Sequence, residues 1–257
     1  MSIKIITDST CYLPDEYIDK YQISIASLNV LLNGKSYRET DLNNDWFYKE
    51  MSKSPTIPTS SQPSIDELYK VIECQVKKGH DVIGIFLSSD MSGTFSTSLL
   101  VKDMILENYP DANIVMIDSR SNCMQAGFVV LSAAKAVDEN KSLDEVLFII
   151  KNVIENSKFI FVPDSLEYLK KGGRIDSAAS LLGSLLQIKP ILTVEDGKTT
   201  VFTKVRTKKK DINKIIDTVL DQNSKSPIKG VVVHHINCKT EGQDLANKLK
   251  ASLGLDN

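Results

Sequence analysis

Ile5-Ile6-Thr7-Asp8-Ser9-Thr10-Cys11-Tyr12-Leu13-Pro14 is the stretch that decides the fold. A β-branched run stops abruptly in hydroxyls and one carboxylate, and a proline opens the next segment. That order predicts a buried first strand over Ile3–Thr7, polar groups at its carboxyl end, and a helix whose first turn begins near Pro14. Open α/β sheets bind ligands outside the carboxyl ends of their strands. Thr7-Asp8-Ser9-Thr10 is therefore the first candidate site.

Working outward, strand and helix patterns alternate through the first half. Ser24–Leu32 alternates as one strand and meets Asn33-Gly34, a strong hairpin signal, with Lys35–Glu39 returning. Asn44–Met51 and Ser64–Lys77 read as helices, the second starting at Pro63-Ser64 and stopping at Gly79. Asp81–Leu87 is a near-continuous apolar run, as a strand buried on both faces requires. Thr94–Asn108 reads as a helix, Ala112–Ile117 as a strand, and Met124–Asp138 and Leu143–Asn156 as helices. Such alternation predicts a parallel sheet covered on both faces.

The grammar changes near Pro163. Phe159–Val162 is a short strand, and Leu166–Lys171 and Ala178–Leu186 are short helices around Gly172-Gly173. Ile188–Glu195 and Thr199–Thr207 flank Asp196-Gly197 as a hairpin. Asp211–Leu220 reads as a helix, Ile228–His235 as a strand with one of His234 and His235 turned inward, and Asp244–Leu253 as the last helix. The expected fold is α/β in two lobes. Residues 1–162 form a three-layer α/β/α lobe with a parallel sheet, of which 22–60 is free to contribute to the other lobe. Residues 163–257 form an α+β lobe with a mixed sheet.

Composition limits the function classes. The chain has 257 residues and a formal net charge of −2, so no basic footprint for nucleic acid exists. Met1–Ser9 lacks the apolar core of a signal peptide, and no apolar run reaches the roughly 20 residues of a membrane helix. A cytoplasmic location is the expectation. The four cysteines, Cys11, Cys74, Cys123 and Cys238, form no C-x-x-C pair and read as reduced thiols. His80, His234 and His235 lack metal-like spacing, so no metal and no cofactor are expected.

Three hydroxyl-rich junctions and one basic turn stand out. They are Thr7-Asp8-Ser9-Thr10, Thr59-Ser60-Ser61-Gln62-Pro63, Ser88-Ser89-Asp90-Met91-Ser92-Gly93-Thr94, and Lys170-Lys171-Gly172-Gly173-Arg174. Ser92-Gly93-Thr94 falls where a helix begins, and a helix start holds an anion well. Arg174 beside two glycines suits bidentate contact with phosphate or carboxylate. Each also has a plain reading: serines cap helices, Asp8 can cap the helix near Pro14, and Lys-Gly-Gly-Arg can be a solvated turn. No G-x-S-x-G elbow and no Walker phosphate loop occur.

Taken in order, these pieces resemble the DegV family of fatty-acid-binding proteins. The matching segments are Thr-Asp-Ser-Thr-Cys-x-Leu-Pro, Ser-Ser-Gln-Pro-Ser, Ser-Ser-x-x-Ser-Gly-Thr-Phe, Ile-Asp-Ser-Arg, Leu-x-Lys-Gly-Gly-Arg-Ile, and Ile-Lys-Pro-Ile-Leu followed by a Gly hairpin. They cover nearly the whole chain. The resemblance implies one long-chain fatty acid buried between two lobes, and a role as the acyl-carrier subunit of a two-component fatty acid kinase. In such a pair a separate ATP-dependent kinase phosphorylates the lipid carboxylate, feeding phospholipid metabolism, so the chain itself is not an enzyme. It also implies Ser92 as the carboxylate-binding serine, with Ser60, Ser61, Gly93 and Thr94 around it. Ser60 stands where relatives carry threonine. Arg174 is implied for work with the kinase. Asp8 and Ser9 become support, and a transient membrane contact is compatible with lipid exchange.

Burying an alkyl chain gains about 0.8 kcal/mol per CH₂, on the order of 10 kcal/mol for a typical fatty acid. The tunnel would thus supply affinity and the hydroxyls orientation. Leu166, Leu169, Ile175, Leu181, Leu182, Leu185 and Ile188 are candidate walls, or ordinary core. The resemblance also implies a last strand and a His-x-Gly-Pro-Gly-like segment, absent from 163–257. A carrier or sensor not competent with the kinase is therefore one alternative, and a Ser92-based esterase another.

Overall fold

A computed structural model describes residues 2–181, 189–206 and 208–254. The chain divides into two compact units, Met1–Phe159 with Val194–Lys198, and Ile160–Thr193 with Thr199–Asn257. The 22–60 segment lies in the first unit.

The first unit runs β1 (Ile3–Asp8), α1 (Asp15–Tyr21), β2 (Ser24–Ala26), β3 (Asn29–Leu32), β4 (Lys35–Arg38), α2 (Asn44–Lys53), β5 (Thr59–Ser61) and α3 (Ile65–Val76). It continues with β6 (Asp81–Phe86), α4 (Thr94–Asn108), β7 (Ile114–Asp118), α5 (Cys123–Asp138) and α6 (Leu143–Asn156). Four strands make a parallel sheet in the order β2-β1-β6-β7. Its strands are apolar on both sides, and successive residues face opposite cores. Ile5, Ile83 and Ile85 pack with Met124, Val129, Val130 and Ile150 of α5 and α6. Ile6, Val82 and Phe86 pack with Leu68, Ile72, Val101 and Ile105 of α3 and α4. The α/β/α layering follows from that alternation.

The strand order places a topological switch at β1 and β6, because the chain leaves β1 for β2 on one side and then crosses to β6 on the other. The carboxyl ends of β1 and β6 therefore lie where such sheets hold ligands. A second, antiparallel sheet, β4-β3-β5, sets Ser60 opposite Val30 and Ser61 opposite Asn29. Its β3–β4 turn is Asn33-Gly34, both residues left-handed, as a two-residue hairpin demands.

The single strand expected over Ser24–Leu32 is two strands in different sheets. The chain breaks at Ser27-Leu28, where Glu67 Oε1 accepts the Ser27 N–H at 3.1 Å and Ser9 Oγ accepts the Leu28 N–H at 3.0 Å. Side chains thus take the amides that a continuous ladder would use.

The second unit holds β8 (Ile160–Phe161), α7 (Glu167–Gly172), β9 (Lys189–Glu195), β10 (Lys198–Val205), α8 (Lys208–Lys225) and α9 (Lys239–Leu253). The tip of the β9–β10 hairpin, Val194–Lys198 around the two-residue turn Asp196-Gly197, belongs to the first unit. The sheet order is β10-β9-β8, and β8 meets β9 antiparallel. No parallel pair joins this sheet among the described residues, which narrows the expected mixed sheet. Ile228–His235, expected as a further strand, is not one and joins none of the three sheets; the Ile228 N–H is instead accepted by Asn223 Oδ1 at 2.9 Å, and His234 and His235 are both exposed, where one was expected to turn inward. The helix expected over Ala178–Leu186 is a 3₁₀ turn, Asp176–Leu181, pinned at its start by Asp176 Oδ2 accepting the Thr199 N–H at 3.1 Å. The rest of that expected helix lies outside the described residues, as does Ile188.

Candidate functional site

The carboxyl end of β1 supplies Asp8, which is 1 % exposed. Its Oδ1 accepts from the Thr10 N–H at 2.9 Å and the Thr10 hydroxyl at 2.6 Å. Its Oδ2 accepts from the Leu87 N–H at 2.8 Å, where β6 ends. Burial pushes the carboxyl up from its usual range, partly opposed by these bonds. Ser9, beside it, donates to Glu39 Oε2 at 2.5 Å while accepting from Leu28. Tyr12 donates to the other oxygen of Glu39 at 2.6 Å. Every polar atom here is turned toward neighbouring backbone or side chains, which is the geometry of support.

After β6, the chain makes a tight turn into α4. The Met91 and Ser92 N–H groups both donate to the Ser88 carbonyl, at 3.0 and 3.1 Å. Ser92 Oγ lies 2.9 Å from Thr94 Oγ1 and accepts from the Thr94 N–H at 3.3 Å. Ser92 is half-buried and Thr94 fully buried. Gly93, the residue before the helix, offers no capping side chain. The positive end of α4 thus meets one partly accessible hydroxyl and one buried hydroxyl, an arrangement suited to a carboxylate or phosphate oxygen.

Ser60 and Ser61 are exposed on β5. Gln62, the next residue, brings their strand to α4: its Nε2 donates to Thr97 Oγ1 at 2.5 Å. A Cβ on Gly93 would fall on Gln62 Oε1, so glycine is what permits this approach. The structure therefore brings the β5 junction and the Ser92-Gly93-Thr94 turn together through a residue that sequence reading did not single out. Its signal was present, because Gln62 stands within the Ser-Ser-Gln-Pro-Ser block.

A second unassigned group stands after β7. Asp118 accepts from the Arg120 N–H at 2.8 Å and from the Ser89 N–H at 3.3 Å. Arg120 Nη1 is 2.7 Å from Asp90 Oδ2, and this pairing holds the Asp90 carboxyl below its usual range. Ile-Asp-Ser-Arg marked the place in the sequence without stating a role.

Arg174 lies in the second unit, exposed, where its Nη1 donates to the Gly172 carbonyl and its N–H to the Leu169 carbonyl at 2.9 Å. Leu166, Leu169 and Ile175 pack with Phe161, Ala178, Leu192 and Val201 as that unit's apolar cluster. Leu182, Leu185 and Ile188 lie outside the described residues. His80, the histidine of the first unit, pairs with Ser2 Oγ at 2.8 Å rather than with Ser92. Among the described residues no group of three His, Cys, Asp or Glu side chains is arranged to hold a metal, and no helix is long and apolar enough to cross a membrane.

The fold and these junctions define a doubly wound α/β protein with hydroxyl-rich turns at its switch point. The sequence model of the DegV family, described as uncharacterised proteins, matches residues 2–256, and the chain belongs to that family. A DegV domain-containing protein of Clostridium perfringens is 49 % identical over 256 residues, covering 100 % of this chain and 90 % of the relative. Protein DegV of Bacillus subtilis is 37 % identical over 260 residues, covering 98 % of this chain and 89 % of that one. Among solved structures, a stearic acid-binding protein from Eubacterium ventriosum superposes with a TM-score of 0.90 at 26 % identity, over 99 % of this chain and 88 % of that one. DegV of Bacillus subtilis, a fatty acid binding protein, superposes at 0.85 with 34 % identity, over 99 % and 89 %.

Proposed function

We propose that this chain binds one long-chain fatty acid, with Ser92 as the principal contact for its carboxylate, and presents that carboxylate to a separate ATP-dependent kinase in the cytoplasm. The observation that carries the reading is the start of α4, which has glycine and no capping side chain at Gly93 and sets the Ser92 and Thr94 hydroxyls 2.9 Å apart, in a chain that shares its fold and family with fatty-acid-binding relatives. A buried carboxylate needs hydrogen bonds to replace water, and a helix start with two hydroxyls supplies them. Ser60, Ser61 and Gly93 form the rest of the head-group rim, with Asp8 and Ser9 behind it.

The reaction assigned to the pair needs no base from this chain. A carboxylate oxygen forms a bond to the γ-phosphorus of ATP as the bond to the bridging oxygen breaks, and ADP leaves. The chain's part is to hold the carboxylate and shield the alkyl tail. Arg174, with five donors and a fixed charge, suits contact with the partner or its phosphates. The test is direct: protein loaded with palmitate, mixed with a fatty acid kinase subunit and ATP, yields acyl phosphate, trapped as the hydroxamate. Arg174→Ala keeps its lipid and loses that product. Protein with no lipid by mass after loading overturns the binding reading; lipid without acyl phosphate overturns the presentation reading alone.

A further inference from the structure

Three consecutive residues ahead of Ser92 are fastened to the same two anchors. Ser88 Oγ donates to the Gly197 carbonyl at 2.8 Å. Ser89 Oγ accepts from Arg120 Nη1 at 3.2 Å. Asp90 pairs with Arg120 at 2.7 Å through one oxygen and with Lys198 at 3.5 Å through the other. The remaining arm of Arg120, Nη2, donates to the Asp196 carbonyl. Asp118 completes the setting, 3.2 Å from Arg120 Nη1. All of these residues, the 196–198 turn included, belong to the first unit.

The arrangement is specific to a forked donor. One guanidinium reaches the loop before Ser92, the end of β7 and the hairpin turn at once, which a lysine ammonium on a flexible stem cannot do. Gly197 is required on the other side. It sits at φ +79°, and a Cβ there would stand 2.5 Å from Ser88 Oγ and 2.7 Å from Arg120 Cζ. Ser92 follows two residues after Asp90, with its N–H returned to the Ser88 carbonyl, so the anchored loop determines where its hydroxyl stands.

We propose that Arg120, clamping the Asp196-Gly197 turn against Ser88–Asp90, is a positioning residue for the carboxylate subsite. This rests on the reading of Ser92 as the head-group contact. Arg120 acts through the loop, since its guanidinium is already engaged by Asp90, Asp118, Ser89 and Asp196.

The test compares affinities for palmitate and for hexadecanol, measured by displacement of a fluorescent fatty acid. The alcohol keeps the tail and lacks the carboxylate, so the ratio reports head-group recognition and is insensitive to general loosening. Arg120→Met should lower the acid-to-alcohol preference about tenfold, the size of one charge-assisted hydrogen bond. Arg120→Lys should recover only part of it. Gly197→Ala, which leaves Arg120 in place but pushes the turn away, should lower the ratio as well, and it carries the test alone if Arg120→Met does not fold. Parallel weakening of both ligands, or an unchanged ratio, overturns the proposal. A wild-type protein that binds both equally overturns the Ser92 reading itself, a result separable from failure of the Arg120 variants.

Discussion

The carboxylate of Asp8 accepts the backbone N–H of Leu87 at 2.8 Å across 79 residues, joining the ends of β1 and β6 at the switch point of the sheet. The bond fixes where the turn toward Ser92 begins. Asp8→Ala would leave the N–H groups of Leu87 and Thr10 buried without their acceptor. We expect a loss of about 2–3 kcal/mol in urea unfolding, from unpaired buried donors. A loss below about 0.5 kcal/mol would show that water or relaxation replaces the carboxylate.

The same residue gives a pH dependence of definite sign. Burial raises the folded carboxyl above its ordinary 3.8. The folded state thus binds the proton more tightly than the unfolded state, so the contribution of Asp8 is greatest below 3.8 and is lost as pH rises through the raised value. Relative to Asp8→Asn, the wild type should therefore weaken across that interval and run parallel above it. Denaturant midpoints of both proteins from acid to neutral pH check this; a difference growing in the opposite direction contradicts the burial argument.

Gly93 separates stability from recognition. Its missing Cβ leaves room for Gln62, whose amide is the movable end of a flexible side chain. Gly93→Ala should displace that amide and break its bond to Thr97 with a stability change within about 1 kcal/mol. Affinity for fatty acid should fall severalfold, because β5 with Ser60 and Ser61 loses its tie to the start of α4. Unchanged affinity together with a large loss of stability would reverse this assignment.

The periodic elements were legible in the sequence, while features made by distant residues were not. Thr94–Asn108 and Leu143–Asn156 have the expected bounds because apolar spacing and, for the second, the Ser142–Glu145 capping box are local. The break at Ser27-Leu28 was hidden, since its causes, Ser9 and Glu67, lie 19 and 40 residues away. Ile228–His235 has a strand's alternation but joins none of the sheets, and alternation alone cannot specify pairing. The strand-to-helix turn that carries Ser92 was legible; the contacts of Arg120 were not, because its bond to the Asp196 carbonyl spans 76 residues.

Helix α5 packs against the opening segment at Gly127. A Cβ there would stand 2.6 Å from the Cys11 carbonyl oxygen and 2.6 Å from Met124 Sδ. The sulfur can move, but the carbonyl belongs to the turn that follows Asp8. Gly127→Ala should therefore cost about 1–3 kcal/mol, despite alanine's better helix propensity. Equilibrium unfolding reads the sign: a stabilised variant would mean that the turn yields without penalty.

The thiols should divide by burial. Burial pushes Cys11 and Cys123 up to about 12 each, so at about pH 8 only on the order of one in 10,000 would be thiolate, the reactive form. Cys74 is exposed on α3 and Cys238 is partly buried. Titration of the native protein with a disulfide reagent should show a fast phase removed by Cys74→Ser, slower reaction at Cys123, which is partly buried, and no reaction at Cys11 until the chain unfolds. Peptide mapping distinguishes the sites. Prompt labelling of Cys11 in native protein would mean that the segment from Asp8 to Pro14 opens readily, and the support it gives the Ser88–Gly93 loop would then be far weaker than its hydrogen bonds imply.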